Sequence, residues 1–249
     1  MDNLVSIITP SYNSSRFVRE CIDSVLAQTY QNWEMIIVDD CSTDGSADLI
    51  RDIISEEPRI RLVALDKNVG AAEARNIAIA MAKGRFIAFL DSDDIWIPEK
   101  LEHQIGFMET NGYAFTFGAY IPISEDGSDE YKSIQAPAWI DYDGYLKNTI
   151  IGCLTVVIDR EQTGNFSMPK IRSSHDMALW LEILNRGFRA YGMNEVLGKY
   201  RLVSSSNTAK KMYATGDVWR VYRDIRGLSL AKSFYCWCHY LYQAARKRL

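Results

Sequence analysis

The chain has 249 residues, 47% of them hydrophobic and 24% charged, and a net charge of −4. That composition suits a globular protein that buries a core without disulfides or structural metal, and the acidic balance argues against nucleic acid as a partner. Five scattered cysteines (Cys21, Cys41, Cys153, Cys236, Cys238) without CxxC spacing, no long apolar run and no signal-like N-terminus lead to the expectation of a cytoplasmic protein with free thiols.

Leu4 to Ile8 reads as a first strand, ended by the turn residues Thr9-Pro10-Ser11-Tyr12-Asn13. Phe17, Cys21, Ile22, Val25 and Leu26 recur at helical spacing and predict a helix from about Ser15 to Gln28. Met35 to Val38 is a second buried strand, running into Asp39-Asp40-Cys41-Ser42-Thr43-Asp44-Gly45. Leu49, Ile50, Ile53 and Ile54 mark a second helix, and Ile60 to Leu65 a third strand. A third helix opens after Gly70 and turns Ala74, Ile77, Ala78 and Met81 inward. Phe86 to Leu90 is then a strand buried on both faces, followed at once by Asp91-Ser92-Asp93-Asp94. Strand and helix alternate to about residue 110, which predicts an open, mostly parallel, Rossmann-like α/β sheet flanked by helices.

Beyond Pro98 the pattern is less regular. A helix carries Leu101, Ile105 and Met108, strands are expected at Tyr113 to Ile121 and Cys153 to Ile158, and Ser124 to Lys132 reads as an exposed loop or hairpin tip. Asp176 to Asn185 is a helix stopped by Gly187. From residue 210 the composition changes: Lys210, Lys211, Arg220, Arg223, Arg226, Lys232, Arg246, Lys247 and Arg248 face only Asp217 and Asp224, among Phe234, Tyr235, Trp237, Tyr240 and Tyr242. Such a helical extension either lies on an anionic membrane surface or packs its aromatics on the domain.

Three carboxylates within four positions at a strand end are a cation site or a solvated helix cap. P-loop and dinucleotide glycine patterns are absent. The ends of strands one, two and four lie on one edge of a parallel sheet, so Thr9–Asn13, Asp39-Asp40 and Asp91–Asp94 converge on one crevice. Their oxygen ligands suit Mg²⁺ or Mn²⁺ completed by substrate phosphates, with Asp93 on the metal and Asp40 free to read a nucleobase N–H.

Val5–Asn13, Ile37–Gly45, Asn68-Val69-Gly70 through Ala74-Arg75-Asn76, and Asp91–Asp94 resemble the family 2 glycosyltransferases in order and spacing. The resemblance is close over about the first 110 residues and looser to about 205. It implies the GT-A fold and an inverting transfer of a hexose or N-acetylhexosamine from a UDP-sugar. The implied halves are 1–110 for the nucleotide-sugar and 111–209 for the acceptor, with 210–249 as the extension. By position, Pro10, Tyr12 and Asp40 would line the uracil pocket, with Asp39 beside them. Asn68 and Arg75 would sit near the nucleotide or brace the acidic turn. Asp91 and Ser92 would face the donor, and Asp93 would hold the metal. Ser174-His175-Asp176 resembles the place of the family's base, which makes Asp176 the proton acceptor or, alternatively, only a cap. His175 and Trp180 would contact the acceptor, although a Trp in an apolar helix also suits the core. Tyr200-Arg201 resembles a segment in which relatives carry a His where this chain has Val203, leaving Arg201 to neutralise the departing UDP.

The implied acceptor is a glycan carried on a lipid diphosphate and built at the inner face of a bacterial membrane during surface polysaccharide synthesis. Three rivals stand beside this reading: a receiver-like binding module, a nucleotidyltransferase on a related sheet, and a degenerate glycosyltransferase that binds without turnover. The first would carry its acidic pair after strand one and the second a basic glycine-rich loop, and neither pattern is present.

Overall fold

The computed structural model describes residues 3–171, 173–203 and 211–246, with side chains left out at 211–214, 245 and 246. Lys210, Lys247 and Arg248 lie outside the described residues, and the side chains of Lys211 and Arg246 are likewise not described.

The first half is built from β1 (Val5–Ser11), α1 (Val18–Leu26), β2 (Trp33–Asp39), α2 (Ser46–Ile53), β3 (Ile60–Ala64), α3 (Ala71–Met81) and β4 (Phe86–Phe89). After the acidic turn come β5 (Ile95–Trp96), α4 (Lys100–Asn111), β6 (Phe115–Ile123), β7 (Trp139–Ile140), α5 (Tyr142–Lys147), β8 (Val157–Asp159), α6 (Arg160–Thr163), α7 (His175–Asn185) and β9 (Ala190–Arg201). The last helices are α8 (Lys211–Arg220) and α9 (Leu230–Arg246). One nine-stranded sheet runs in the order β3-β2-β1-β4-β8-β6-β9-β5, with β7 also on β9. β1, β2, β3 and β4 pair in parallel, so each needs the helical crossover that the hydrophobic periodicity predicts.

β1 is buried along its whole length and β2 at every position but Glu34, because both faces of the sheet are covered. Alternate residues enter different cores: Ile8, Ile36, Val38 and Phe89 pack with α3 and α7, while Ile7, Met35, Ile37 and Leu90 pack with α1 and α4. Each fully buried aliphatic side chain stabilises the fold by about 1.5–3 kcal/mol relative to exposure.

Beyond β4 the structure departs from simple periodicity. β8 enters antiparallel between β4 and β6. The apolar run at 153–158 is not one strand: Cys153–Thr155 forms a 3₁₀ turn, closed by Thr155 Oγ1 donating to the Gly152 carbonyl at 2.8 Å, and pairing starts only at Val157. The strand expected at Tyr113 begins at Phe115, because the Tyr113 N–H still donates to the Met108 carbonyl of α4 across the left-handed Gly112.

Trp180 corrects an expectation. Its side chain has no exposed surface, meets Phe89 edge-on at 5.2 Å and lies tilted on Phe115 at 5.4 Å. It is a core residue beneath the sheet and cannot stack on an acceptor sugar.

Candidate active site

The register fixes where the site lies. Ser11, the last residue of β1, sits beside Asp39, the last of β2, and the chain leaves both strands on the same edge. Asp39 is 2% exposed and accepts from the Ser42 N–H at 2.9 Å, the Ser42 hydroxyl at 2.6 Å and the Ser11 hydroxyl at 3.3 Å. Asp40, 3% exposed, accepts from the N–H groups of Val69 and Gly70 at 2.7 and 2.8 Å, and Asn68 donates to its carbonyl at 3.1 Å. Gly70 has φ 89°, a conformation that favours glycine, and this turns its N–H onto the carboxylate. The acidic pair thus ties the loops after β1, β2 and β3 into one rim, and each Asp40 oxygen keeps a second acceptor position. Pro10 is buried within β1, and Tyr12 stands out from the rim, 54% exposed.

The second wall is the turn after β4. Asp91 is ion-paired with Nη2 of Arg75 from α3, and Asp94 donates its N–H to the Asp91 carbonyl at 3.1 Å. Ser92 and Asp94 are buried; Asp94 accepts the Arg201 N–H at 2.9 Å. Burial, then Asp93 and Asp91, push the Asp94 carboxyl well above the ordinary range. Asp93 is partly exposed, and no side-chain donor among the described residues reaches its carboxylate. Burial and the neighbouring Asp91 raise it to about 6.

Arg201 does not face the crevice, which corrects its expected role toward UDP. Its side chain is 1% exposed: Nη2 pairs with Glu20 at 2.6 Å, Nε donates to the Asp93 carbonyl at 2.9 Å, and Nη1 to the Glu125 carbonyl at 3.0 Å. It holds the acidic turn from behind and joins it to α1 and β9.

Across from the turn, α7 begins at His175 after Ser174, whose φ is 57° and whose side chain caps nothing. Asp176 is the second residue of that helix and partly exposed, so it is not the N-cap. Arg75, 5% exposed, bridges the walls: besides Asp91 it reaches His175 Nε2 from Nη1 at 2.6 Å. A guanidinium can only donate, so this Nε2 accepts and the imidazole is neutral. Burial, then the Arg75 charge, lower the His175 pKa in agreement. Asp176 acts electrostatically on both Arg75 and His175, which places the three together.

Sequence reasoning overlooked Cys153, whose position follows from the 3₁₀ turn rather than from any motif. It is partly exposed, and burial followed by the Asp91 charge pushes its thiol well above the ordinary range, with Arg75 and Asp176 also acting on it. A cavity of about 340 Å³ lies elsewhere, between α3 and residues 164–167. An open crevice rimmed by loops is the setting that the strand-end residues share, and that cavity contains none of them.

The donor set fits a hard divalent cation. The turn offers only oxygen ligands, the carboxylates of Asp91, Asp93 and Asp94 among them, and burial followed by their mutual repulsion raises Asp93 and Asp94, a penalty that a cation would offset. Among the described residues no three His, Cys, Asp or Glu side chains are grouped to hold an ion, and a hard cation bound by one or two carboxylates completes its shell with water and substrate oxygens.

Comparison with known proteins shows the family and the fold. The profile described as "Glycosyl transferase family 2" matches residues 6–168. A Bacillus subtilis protein assigned to teichuronic acid biosynthesis as glycosyltransferase TuaG is 50% identical over 99% of this chain and 98% of its own. The Escherichia coli UDP-Glc:alpha-D-GlcNAc-diphosphoundecaprenol beta-1,3-glucosyltransferase WfgD is 43% identical over 94% of this chain and 91% of its own. Among solved structures, S. aureus TarS 1–349 in complex with UDP-GlcNAc shares the fold, with a TM-score of 0.76 at 19% identity, over 95% of this chain and 71% of that one.

Proposed function

The chain belongs to glycosyl transferase family 2 and has the GT-A fold, and on that premise we propose that it moves a hexose or N-acetylhexosamine from a UDP-sugar to a hydroxyl of a lipid-diphosphate-linked glycan in bacterial surface polysaccharide synthesis. The observation that carries this reading is the Arg75 bridge. One buried guanidinium joins the carboxylate turn, where a donor's diphosphate and sugar would lie, to the helix that presents Asp176.

Residues 1–110 form the donor half. Tyr12 and Pro10 border the base, Asp40 accepts its ring N–H through a remaining acceptor position, and Asp39 and Asn68 hold the rim. Asp91 and Ser92 face the donor sugar. Asp93 would hold a divalent cation, Mn²⁺ or Mg²⁺, which when bound would offset the charge of the donor's diphosphate. Residues 111–209 complete the acceptor half. Asp176 takes the proton from the acceptor hydroxyl as its oxygen attacks the anomeric carbon, and the bond to UDP breaks on the opposite face, inverting the centre. His175, neutral and held by Arg75, precedes Asp176 at the start of α7 and borders the acceptor.

The acceptor chemistry follows the Escherichia coli relative, named for a diphosphoundecaprenol-linked substrate. Such an acceptor is anchored in lipid, so the enzyme works as a cytoplasmic protein peripheral to the inner face of the membrane. The test is UDP release from a panel of UDP-sugars with Mn²⁺ and a lipid-linked N-acetylglucosamine diphosphate. Turnover with one or more donors, lost in Asp93→Ala and Asp176→Ala, is expected. Full activity of both variants would overturn the residue assignment, and no turnover with any donor would favour a binding protein.

A further inference from the structure

α9 has two apolar faces, and only one of them is covered. Ser233 and Cys236 are buried, and Trp237 packs edge-on against Trp219 at 6.0 Å while its Nε1 donates to the Thr215 carbonyl at 3.2 Å. This face docks α9 on α5 and α8. The opposite face is bare. Leu230, Phe234, Cys238 and Tyr242 recur every four residues and so line one side of the helix. They are all exposed: Leu230 by 64%, Phe234 by 58% and Tyr242 by 62%, with Tyr235 beside them at 55%.

Charge distinguishes this helix from the rest of the molecule. From Ile225 to Leu249 the sequence has no Asp or Glu and five Lys or Arg residues, in a chain whose net charge is −4. No helix among the described residues is long and apolar enough to cross a membrane. Within α9 Lys232 is ion-paired with Asp143 at 3.0 Å, so the unbalanced positive charge of the sequence falls at its C-terminal end, at Arg246, Lys247 and Arg248. An aromatic stripe on a carboxylate-free helix whose end is basic matches a helix lying in the plane of a lipid–water interface.

We infer that the Leu230–Phe234–Cys238–Tyr242 stripe of α9, with Tyr235, is a lipid-docking surface that seats the protein on an anionic bilayer. The inference gives a physical surface to the peripheral placement proposed above, and its own support is the exposure pattern and charge of α9. A second copy of the chain is a poorer occupant. The exposed stripe amounts to on the order of 500 Å² by the usual size of such side chains, short of the roughly 800 Å² per partner of a stable interface, and two such basic helices would repel.

The full chain is floated with vesicles of phosphatidylglycerol and phosphatidylethanolamine, or of phosphatidylcholine alone. Binding to the anionic vesicles that weakens with salt is expected, as is a bound fraction at least tenfold lower for Phe234→Glu/Tyr242→Glu at an unchanged melting temperature. Should that double variant unfold, Phe234→Ser replaces it. Absence of wild-type binding to anionic vesicles, or equal binding by the folded variant, overturns the inference. So does a wild-type dimer in light scattering that the variant converts to monomer. UDP release with a water-soluble acceptor separates the two readings: it persists in the variant if the catalytic assignment holds, whatever the vesicles show.

Discussion

Asp93→Asn is expected to raise the stability of the metal-free protein while abolishing its activity. In the structure Asp93 lies partly buried beside Asp91 and Asp94, with no side-chain cation on its carboxylate among the described residues. Its carboxyl is held at about 6 instead of its ordinary 3.8, so ionising it costs the folded state up to about 3 kcal/mol. The sign is opposite to that of a salt-bridged carboxylate. Between pH 3.8 and about 6 the folded state keeps a proton that the unfolded chain has released, so stability falls as pH rises and stays low above that window. Asparagine removes the penalty. Partial exposure and relaxation reduce the gain, which leaves about 1–3 kcal/mol. Urea unfolding in EDTA at pH 7.5 reads it as a higher midpoint at unchanged m-value, and the two proteins should converge near pH 4. With Mn²⁺ and UDP present the order should reverse, because only the wild type gains the linkage term of a bound ion. An Asp93→Asn protein no more stable than wild type in EDTA at pH 7.5 would refute the picture of an unbalanced carboxylate awaiting a cation.

Other changes test other parts of the site. Asp176→Asn should lower kcat by about 10²–10⁴, the usual loss of a general base, while UDP-sugar binding measured by calorimetry stays within a fewfold of wild type; equal loss of donor affinity would place Asp176 in the donor site instead. Arg201→Met should destabilise by about 1–3 kcal/mol, since it leaves the Asp93 and Glu125 carbonyls without their donor while the exposed Glu20 carboxylate turns to water, and melting temperature reports it. Trp180→Phe should cost stability only, about 1–2 kcal/mol, with the acceptor KM unchanged. His175 is favoured neutral, so its own contribution to stability is lost as pH drops below the ordinary histidine value of 6.5, opposite in sign to that of Asp93; His175→Gln, whose amide oxygen can accept from Arg75, should remove that loss, so the variant gains on wild type as pH falls from 7 to 5 in urea unfolding.

The donor half was legible because its determinants are local. Apolar runs of four or five residues, helical periodicities and acidic turns follow one another with short connections, and parallel strands with right-handed crossovers have few ways to assemble. Once β1, β2 and β4 are parallel, Ser11, Asp39 and Asp91 share an edge whatever the details of packing. The acceptor half was less legible. β8 and β9 owe their pairing to partners far away in sequence, and β9 is twelve residues of mixed polarity whose neighbours are β5, β6 and β7.

Roles assigned by residue type failed where burial decided them. Arg201 and Trp180 carry the chemistry of a phosphate contact and a sugar platform, yet one is sealed behind the acidic turn and the other lies in the core under Phe89. Cys153 enters the site because a 3₁₀ turn replaces the start of a strand, which no periodicity signals. The sequence by itself determined the strand–helix alternation and parallel sheet of the first half, the edge on which its carboxylates meet and the composition of the last helix. Only the tertiary structure decided which of those groups face the crevice, that Arg75 links the donor turn to Asp176's helix, and which face of α9 is left bare. The physical reason is range: hydrogen-bonding periodicity is written within a few residues, whereas burial and charge environment are set by neighbours about a hundred residues away, as His175 is from Arg75.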